Sequence, residues 1–149
     1  MRGFRLIGLA CLLFLILGAR GITADWVYYG ESNSEFYKAY YDKDSVKIKP
    51  DKNVTVWTKN VYSETGRNNL IDERKKYGLP TAEFENLDYA VWLREINCID
   101  RKSAAISITY YSRTRQAIEW YNFNENGPIR FKPIMPESLL EGLFELTCK

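Results

Sequence analysis

The chain has 149 residues, with 21 Lys and Arg against 19 Asp and Glu, three cysteines and no histidine. Because histidine is a common general base and a frequent zinc ligand, its absence argues against histidine-dependent catalysis and against a histidine-containing zinc site. The numbers of basic and acidic residues are nearly balanced, which argues against the clustered basic face of a nucleic-acid-binding protein.

The first 24 residues have the layout of a secretory signal peptide. Two arginines precede an apolar stretch of 13 residues, and small residues follow it. Thirteen apolar residues are fewer than the roughly 20 that a membrane-spanning helix needs. We expect cleavage after Ala24 and before Asp25, with cleavage after Ala19 and an uncleaved anchor as the alternatives.

The leader also accounts for the positive charge of the whole chain. It carries Arg2, Arg5 and Arg20 and no acidic residue, so the remaining 125 residues hold 18 basic against 19 acidic residues. Their net charge is therefore about −1 at neutral pH. We assign residues 1–24 to the signal peptide and residues 25–149 to a single domain, which contains no second apolar segment of spanning length.

Two cysteines, Cys98 and Cys148, lie outside the leader. Exported proteins form and keep disulfides, and two cysteines allow only one intramolecular pairing. We therefore expect a Cys98–Cys148 bond, with two unpaired thiols as the alternative. The third cysteine, Cys11, follows "GLA" inside the apolar stretch. A lipid-attachment reading is poor there, because a glycine stands where lipoproteins usually have leucine.

The segment after the leader predicts three strands and then a helix. Strands are expected at positions 26–29, 36–41 and 53–62, which are rich in β-branched and aromatic residues and are separated by polar turns. The stretch "TGRNNLIDERKKYGLP" then changes to helical spacing and ends in the glycine and proline that stop helices. We predict a helix over positions 67–77, acting as a connector between strands or as a binding lobe.

Three further strands are expected at positions 87–98, 103–111 and 115–123. The links "IDRK" and "SRTR" are short enough for hairpins, so these strands should be antiparallel neighbours. Alternation places Trp92, Arg94 and Ile96 together on one face of the first of them. In the second, one face is expected to carry four alternate residues: Ala104, Ile106, Ile108 and Tyr110.

The C-terminal segment predicts a second helix. Pro136 suits the first turn of a helix, and "ESLLEGLFELTC" separates glutamates from apolar side chains at helical spacing. The apolar side is expected to comprise Leu139, Leu140, Leu143, Phe144 and Leu146. This side must pack against one face of the sheet, and a disulfide from Cys148 would hold the helix end there.

Aromatic residues are numerous, with 11 Tyr, 7 Phe and 4 Trp, and they are often adjacent, as in "VYYG" and "TYYS". Adjacent residues of a strand point to opposite faces, so one of each pair must leave a core that lies on one face only. Exposed aromatics of this kind are either contact groups for a partner or ordinary cross-strand pairs.

Five segments occur in an order that is typical of one known family: "DW", "YYD" before "SV", "VTVWTKNVY", "WLREINCIDR" and "RFKPIMPESLLEGLFELTC". From Trp26 to Cys148 the chain resembles the surface-adhesin protein E family of bacterial envelope proteins. The resemblance implies an α+β fold, in which a curved antiparallel sheet of about six strands carries a C-terminal helix on one face, tied by a disulfide. It also implies a tendency to dimerise. The founding adhesin of the family is a surface lipoprotein that binds host extracellular-matrix proteins.

We therefore expect a non-enzymatic, exported protein of the periplasm or cell surface that binds a protein or another envelope macromolecule. An exposed sheet edge would allow a homodimer, and no nucleic acid, cofactor or metal is expected. One alternative is a periplasmic structural or assembly factor. The other is a hydrolase that uses carboxylates alone, which would need two of them within about 5–10 Å in a pocket.

Overall fold

The computed structural model describes residues 24–149, so most of the predicted signal peptide, including Cys11 and Ala19, lies outside the described residues. The described part contains eight strands and two α-helices. In chain order they are β1 (Trp26–Glu31), β2 (Tyr37–Asp42), β3 (Lys47–Ile48), β4 (Asn53–Tyr62), α1 (Glu64–Lys76), β5 (Leu87–Asn97), β6 (Lys102–Ser112), β7 (Ala117–Asn122), β8 (Lys132–Pro133) and α2 (Leu139–Thr147).

All eight strands belong to one antiparallel sheet. Six of them follow the order β1-β2-β4-β5-β6-β7, while β3 pairs with β4 and β8 pairs with β6. The predicted antiparallel sheet of about six strands is confirmed, with two strands of two residues added to it. The sheet is open, and β1 and β7 form its two edges.

A bulge in β6 changes the faces that the sequence predicts. Ala104 pairs with Glu95 and Ile108 pairs with Trp92, and Ile106 has no partner between them. Glu95 and Trp92 are three residues apart on β5 and so point to opposite faces. The extra residue in β6 reverses the alternation. The sequence predicts that four alternate residues of β6 share one face, and this prediction is wrong. The four residues are Ala104, Ile106, Ile108 and Tyr110.

Both helices pack on the same face, which we call the covered face and which includes Val56, Arg94, Ile96 and Tyr110. At one end, Leu143 of α2 is fully buried in a cluster with Val56 and Ile96. At the other end, the turn after α1 packs a Phe84 ring against Tyr110, with 5.2 Å between ring centroids. The predicted packing of the C-terminal helix on one face is confirmed.

A disulfide holds α2 against the sheet. Cys98 follows β5, Cys148 follows α2, and the bond between them brings their Cα atoms to 5.5 Å. Both cysteines pack against the cluster of buried side chains beneath α2, to which Ile134 also belongs. The bond therefore joins the two ends of a segment that supplies Ile134 and Leu143, two of the four buried residues of this cluster.

The helices begin at serine caps rather than where the sequence predicts. The Ser63 hydroxyl accepts a hydrogen bond from the Gly66 N–H at 3.0 Å, so α1 begins earlier than expected. Ser138 caps α2 in the same way, which leaves Pro136 outside the helix. Leu146, expected on the buried side, is 39% exposed, because Thr147 takes the buried position one turn after Leu143.

Candidate binding surface

The face of the sheet opposite the two described helices, which we call the open face, carries aromatic and cationic side chains. Strand register places one row of its residues across six strands: Tyr28, Tyr40, Lys59, Val91, Thr109 and Trp120. Trp57, two residues before Lys59 on β4, belongs to the same face. Three large aromatics remain well exposed there, with Trp120 at 62%, Tyr28 at 52% and Trp57 at 40%.

Lys59 lies at the centre of this face among aromatic rings. Its Nζ atom is 4.6 Å from the ring centroid of Trp26, 5.6 Å from that of Tyr40 and 5.8 Å from that of Tyr89. Burial lowers the pKa of Lys59 from its ordinary value, and the negative charge of Asp88 opposes part of this effect. Aromatic faces attract such a cation, so the Lys59 ammonium is held in place near the surface.

Cross-strand pairs hold several of the other rings. Tyr28 packs edge-on against Tyr40 with 5.6 Å between centroids, and Tyr89 stacks on Tyr111 with 4.9 Å between centroids. Such pairs stabilise a sheet. They also fix the rings, so that a partner would meet groups that lose little conformational freedom on binding.

A shallow depression of about 480 Å³ lies beside Lys59. Its lining includes three aromatics, two cations and one acid: Trp26, Tyr89, Tyr111, Lys59, Arg115 and Asp88. The sequence predicts that aromatics reach this face but does not single out Lys59 or Arg115. Only the register of β4, β5 and β6 brings Arg115, from the turn before β7, to the side of Lys59.

The described cavities contain no arrangement that resembles a catalytic centre. Within residues 24–149, no group of three His, Cys, Asp or Glu side chains is placed to hold a metal ion. Cys98 and Cys148 are bonded to each other. The buried carboxylate of Glu95 is paired with Lys49, with 2.8 Å between Oε2 and Nζ. No described cavity has two carboxylates in its lining, as a carboxylate-only hydrolase would need.

The expected cleavage position lies at the exposed start of β1. The main-chain N–H of Asp25 donates to the Asp42 carboxylate at 3.2 Å, and the Asp25 side chain forms an ion pair with Lys43. Across residues 24–149, none of the helices has the length and apolar character that a membrane crossing requires.

The open antiparallel sheet and the disulfide-tied C-terminal helix define a small α+β protein, and one face of its sheet carries exposed aromatic side chains. The family model described as surface-adhesin protein E matches residues 26–149, and the chain belongs to this family. The family resemblance predicted from the sequence is thus confirmed.

Two solved structures of Haemophilus influenzae protein E are similar to this chain. The first is 13% identical to this chain and has a TM-score of 0.48. The match covers 81% of this chain and 83% of the chain in that structure. The second, a different crystal form, is 11% identical to this chain and has a TM-score of 0.47. The match covers 81% of this chain and 86% of the chain in that structure. No curated protein matches the chain.

Proposed function

We propose that this protein, after removal of residues 1–24, is an exported, non-enzymatic module that binds a protein at the bacterial envelope or cell surface through its open face. One observation carries the proposal. Exposed aromatic side chains share a sheet face, which neither described helix covers, with a cation that packs against the ring of Trp26. Membership of a surface-adhesin family supports the same role.

The chemistry of the open face fits a protein partner. Tryptophan, tyrosine and arginine are enriched among the residues that dominate binding energy at protein interfaces. Trp120, Tyr28 and Trp57 supply exposed rings, and Lys59 and Arg115 supply two cations against the single acid Asp88 in the central depression. The preferred partner surface would therefore combine apolar contacts with acidic residues.

Alanine substitutions on the open face test this proposal. Trp120→Ala and Tyr28→Ala remove exposed rings, so neither should alter the buried core. Tyr77→Ala is a matched control, because Tyr77 is 77% exposed at the end of α1, which lies on the covered side of the sheet. Binding of purified residues 25–149 to immobilised extracellular-matrix proteins and to solubilised envelope proteins would be measured by surface plasmon resonance.

We expect the open-face variants to weaken binding by roughly fivefold or more, as truncation of a dominant interface residue does, and Tyr77→Ala to bind as the unmodified protein does. The proposal fails if no matrix or envelope protein binds more tightly than about 10 μM, a free energy of about −7 kcal/mol. It also fails if Trp120→Ala and Tyr77→Ala behave alike.

Protease treatment of intact cells tests the location separately. A surface module should be digested without lysis, since its exposed loops face the medium. Digestion only after the outer membrane is opened would instead favour the periplasmic assembly role.

A further inference from the structure

A second concave site lies on the covered face, away from the open face. It is a cavity of about 630 Å³ between the beginning of β6, the segment before β8 and helix α2. Three cations contribute to its lining: Arg94, Arg130 and Lys132. Apolar side chains form much of the remaining wall, among them Phe123, Pro128 and Leu140, and no acidic residue takes part.

Arg94 is the innermost of these cations. It is half-buried on β5, its Nε donates to the Thr58 hydroxyl at 3.2 Å, and its guanidinium lies 4.7 Å from the Trp92 ring centroid. Burial lowers the pKa of Arg94, and nearby tyrosines such as Tyr29 oppose the effect. The Arg94 guanidinium is therefore a partly desolvated charge in the lining of the cavity.

Arg94 differs in one respect from Arg74, the buried arginine of α1. Arg74 is paired with the Glu119 carboxylate, with 2.7 Å between Nη1 and Oε2. No ion pair to Arg94 forms within residues 24–149. A partly desolvated guanidinium without an anion is unfavourable, and an anion entering the cavity would remove that cost.

The other two cations and the walls indicate what kind of anion would fit. Arg130 and Lys132 are exposed, so they lie where the cavity meets solvent. Guanidinium groups bind carboxylate and phosphate oxygens in a paired geometry. Ligand cavities of about 300–1,000 Å³ with apolar walls and a few convergent polar groups bind small molecules.

We propose that this cavity binds a small amphipathic anion, with its oxyanion headgroup at Arg94 and its apolar body against Phe123, Pro128 and Leu140. The headgroup is a carboxylate or a phosphate ester, which share the same recognition by arginine. Arg130 and Lys132 attract the anion and hold it at the entrance. This site lies on the opposite side of the sheet from the surface proposed to bind a protein.

Calorimetric titration of residues 25–149 with four probes tests the site: dodecanoate, dodecyl phosphate, dodecanol and inorganic phosphate. The two amphipathic anions are kept below their critical micelle concentrations, and dodecanol is kept below its solubility limit. We expect one or both of the amphipathic anions to bind with 1:1 stoichiometry and at least tenfold more tightly than dodecanol or inorganic phosphate. The stronger of the two anions identifies the headgroup. Equal binding of dodecanol, equal binding of inorganic phosphate, or no binding of either anion would each overturn the proposal.

Charge reversal at the entrance gives a second test. The double variant Arg130→Glu/Lys132→Glu should weaken binding of the preferred anion at least tenfold. The control Lys52→Glu/Lys76→Glu makes the same change of net charge at exposed positions outside the cavity lining and should leave the affinity unchanged. Equal effects of the two double variants would show a general charge effect and would refute the site.

Two further variants separate the headgroup contact from folding and from the proposed protein surface. Arg94→Gln should abolish anion binding, while Arg94→Lys should retain part of it, and thermal unfolding confirms that each variant is folded. Full anion affinity in a folded Arg94→Gln variant would contradict the assigned contact. Trp120→Ala should leave anion binding unchanged, so failure of this site and failure of the open-face proposal can be told apart.

Discussion

Arg74 of α1 and Glu119 of β7 join the first helix to an edge strand of the sheet, with 2.7 Å between Nη1 and Oε2. Arg74 is 5% exposed, its guanidinium lies 3.9 Å from the Phe84 ring centroid, and its Nε donates to the Pro80 carbonyl. The Glu119 side chain, in contrast, is 29% exposed. The ion pair therefore joins a buried cation to a partly exposed anion.

Glu119→Gln should lower the free energy of unfolding by about 1–3 kcal/mol, because it leaves the Arg74 guanidinium buried without an anion. Arg74→Met removes the buried charge as well, so adding it to Glu119→Gln should cost less than the sum of the two single changes. Urea denaturation of the single and double variants measures this coupling. The exposed pair Asp72–Lys75 is the control, and Asp72→Asn should change stability by less than about 0.5 kcal/mol. Strictly additive effects at Arg74 and Glu119 would contradict the prediction.

Cys98→Ser and Cys148→Ser should have equal effects, because each removes the same crosslink. Each should lower stability by about 2–5 kcal/mol, and the double variant should be no less stable than either single one. Limited proteolysis should then cut first near α2. Thiol titration of the unfolded, non-reduced protein gives a direct check, since two reactive thiols in residues 25–149 would disprove the bond.

Two helical glycines should respond to alanine in opposite directions. A Cβ atom added at Gly66 of α1 would lie 1.9 Å from the Phe36 carbonyl oxygen, which already accepts a hydrogen bond from the Ser63 N–H. Gly66→Ala should therefore destabilise the protein by about 1–3 kcal/mol or more. A Cβ atom added at Gly142 of α2 would lie 4.0 Å from its nearest neighbour in another element, the Tyr29 carbonyl oxygen. Gly142→Ala should stabilise the protein by up to about 1 kcal/mol through helix propensity. Thermal unfolding compares them, and a stabilising Gly66→Ala would be inconsistent with the close approach of α1 to the segment before β2.

Stability should fall in alkaline solution because several tyrosines are partly buried. Burial raises the pKa of Tyr29 and of Tyr110 from 10.0 to about 12, and it raises the pKa of Tyr62 as well. Between about pH 10 and 12 the unfolded chain has released these protons while the folded protein retains them, so unfolding becomes easier as the pH rises. Each such tyrosine contributes a slope of up to about 1.4 kcal/mol per pH unit, and its contribution is fully present below pH 10.

Urea midpoints measured from about pH 9 to about pH 12 check the alkaline prediction, and tyrosinate absorbance follows ionisation directly. The variant Tyr29→Phe/Tyr110→Phe should show a shallower decline. Ionisation of every tyrosine at its ordinary pKa in the folded protein would rule the mechanism out.

The long strands could be predicted because their periodic signal is strong. β4 has the predicted bounds, 53–62, since this segment is dense in β-branched and aromatic residues. β3 and β8 contain two residues each and leave no periodic signal. The bulge at Ile106 has no mark in the sequence either, because it depends on how β6 pairs with β5.

The open face was predictable in kind but not in detail. Adjacent tyrosines do take opposite faces: Tyr28 pairs with Tyr40 on the open face, while Tyr29 packs against Tyr41 beside the core. The contact of Lys59 with Trp26 depends on the register of three strands, one of which contains a bulge. Long-range pairing of this kind cannot be deduced from local patterns.

The hydrogen bond from the Asp25 main-chain nitrogen to Asp42 connects the fold with the proposed removal of residues 1–24. In the uncut chain this nitrogen belongs to a neutral peptide bond. The proposed cleavage after Ala24 would convert it into a terminal ammonium group 3.2 Å from a carboxylate that is 9% exposed. A charged donor strengthens such a bond. The proposed cleavage would thus fasten the start of edge strand β1 more firmly to the sheet.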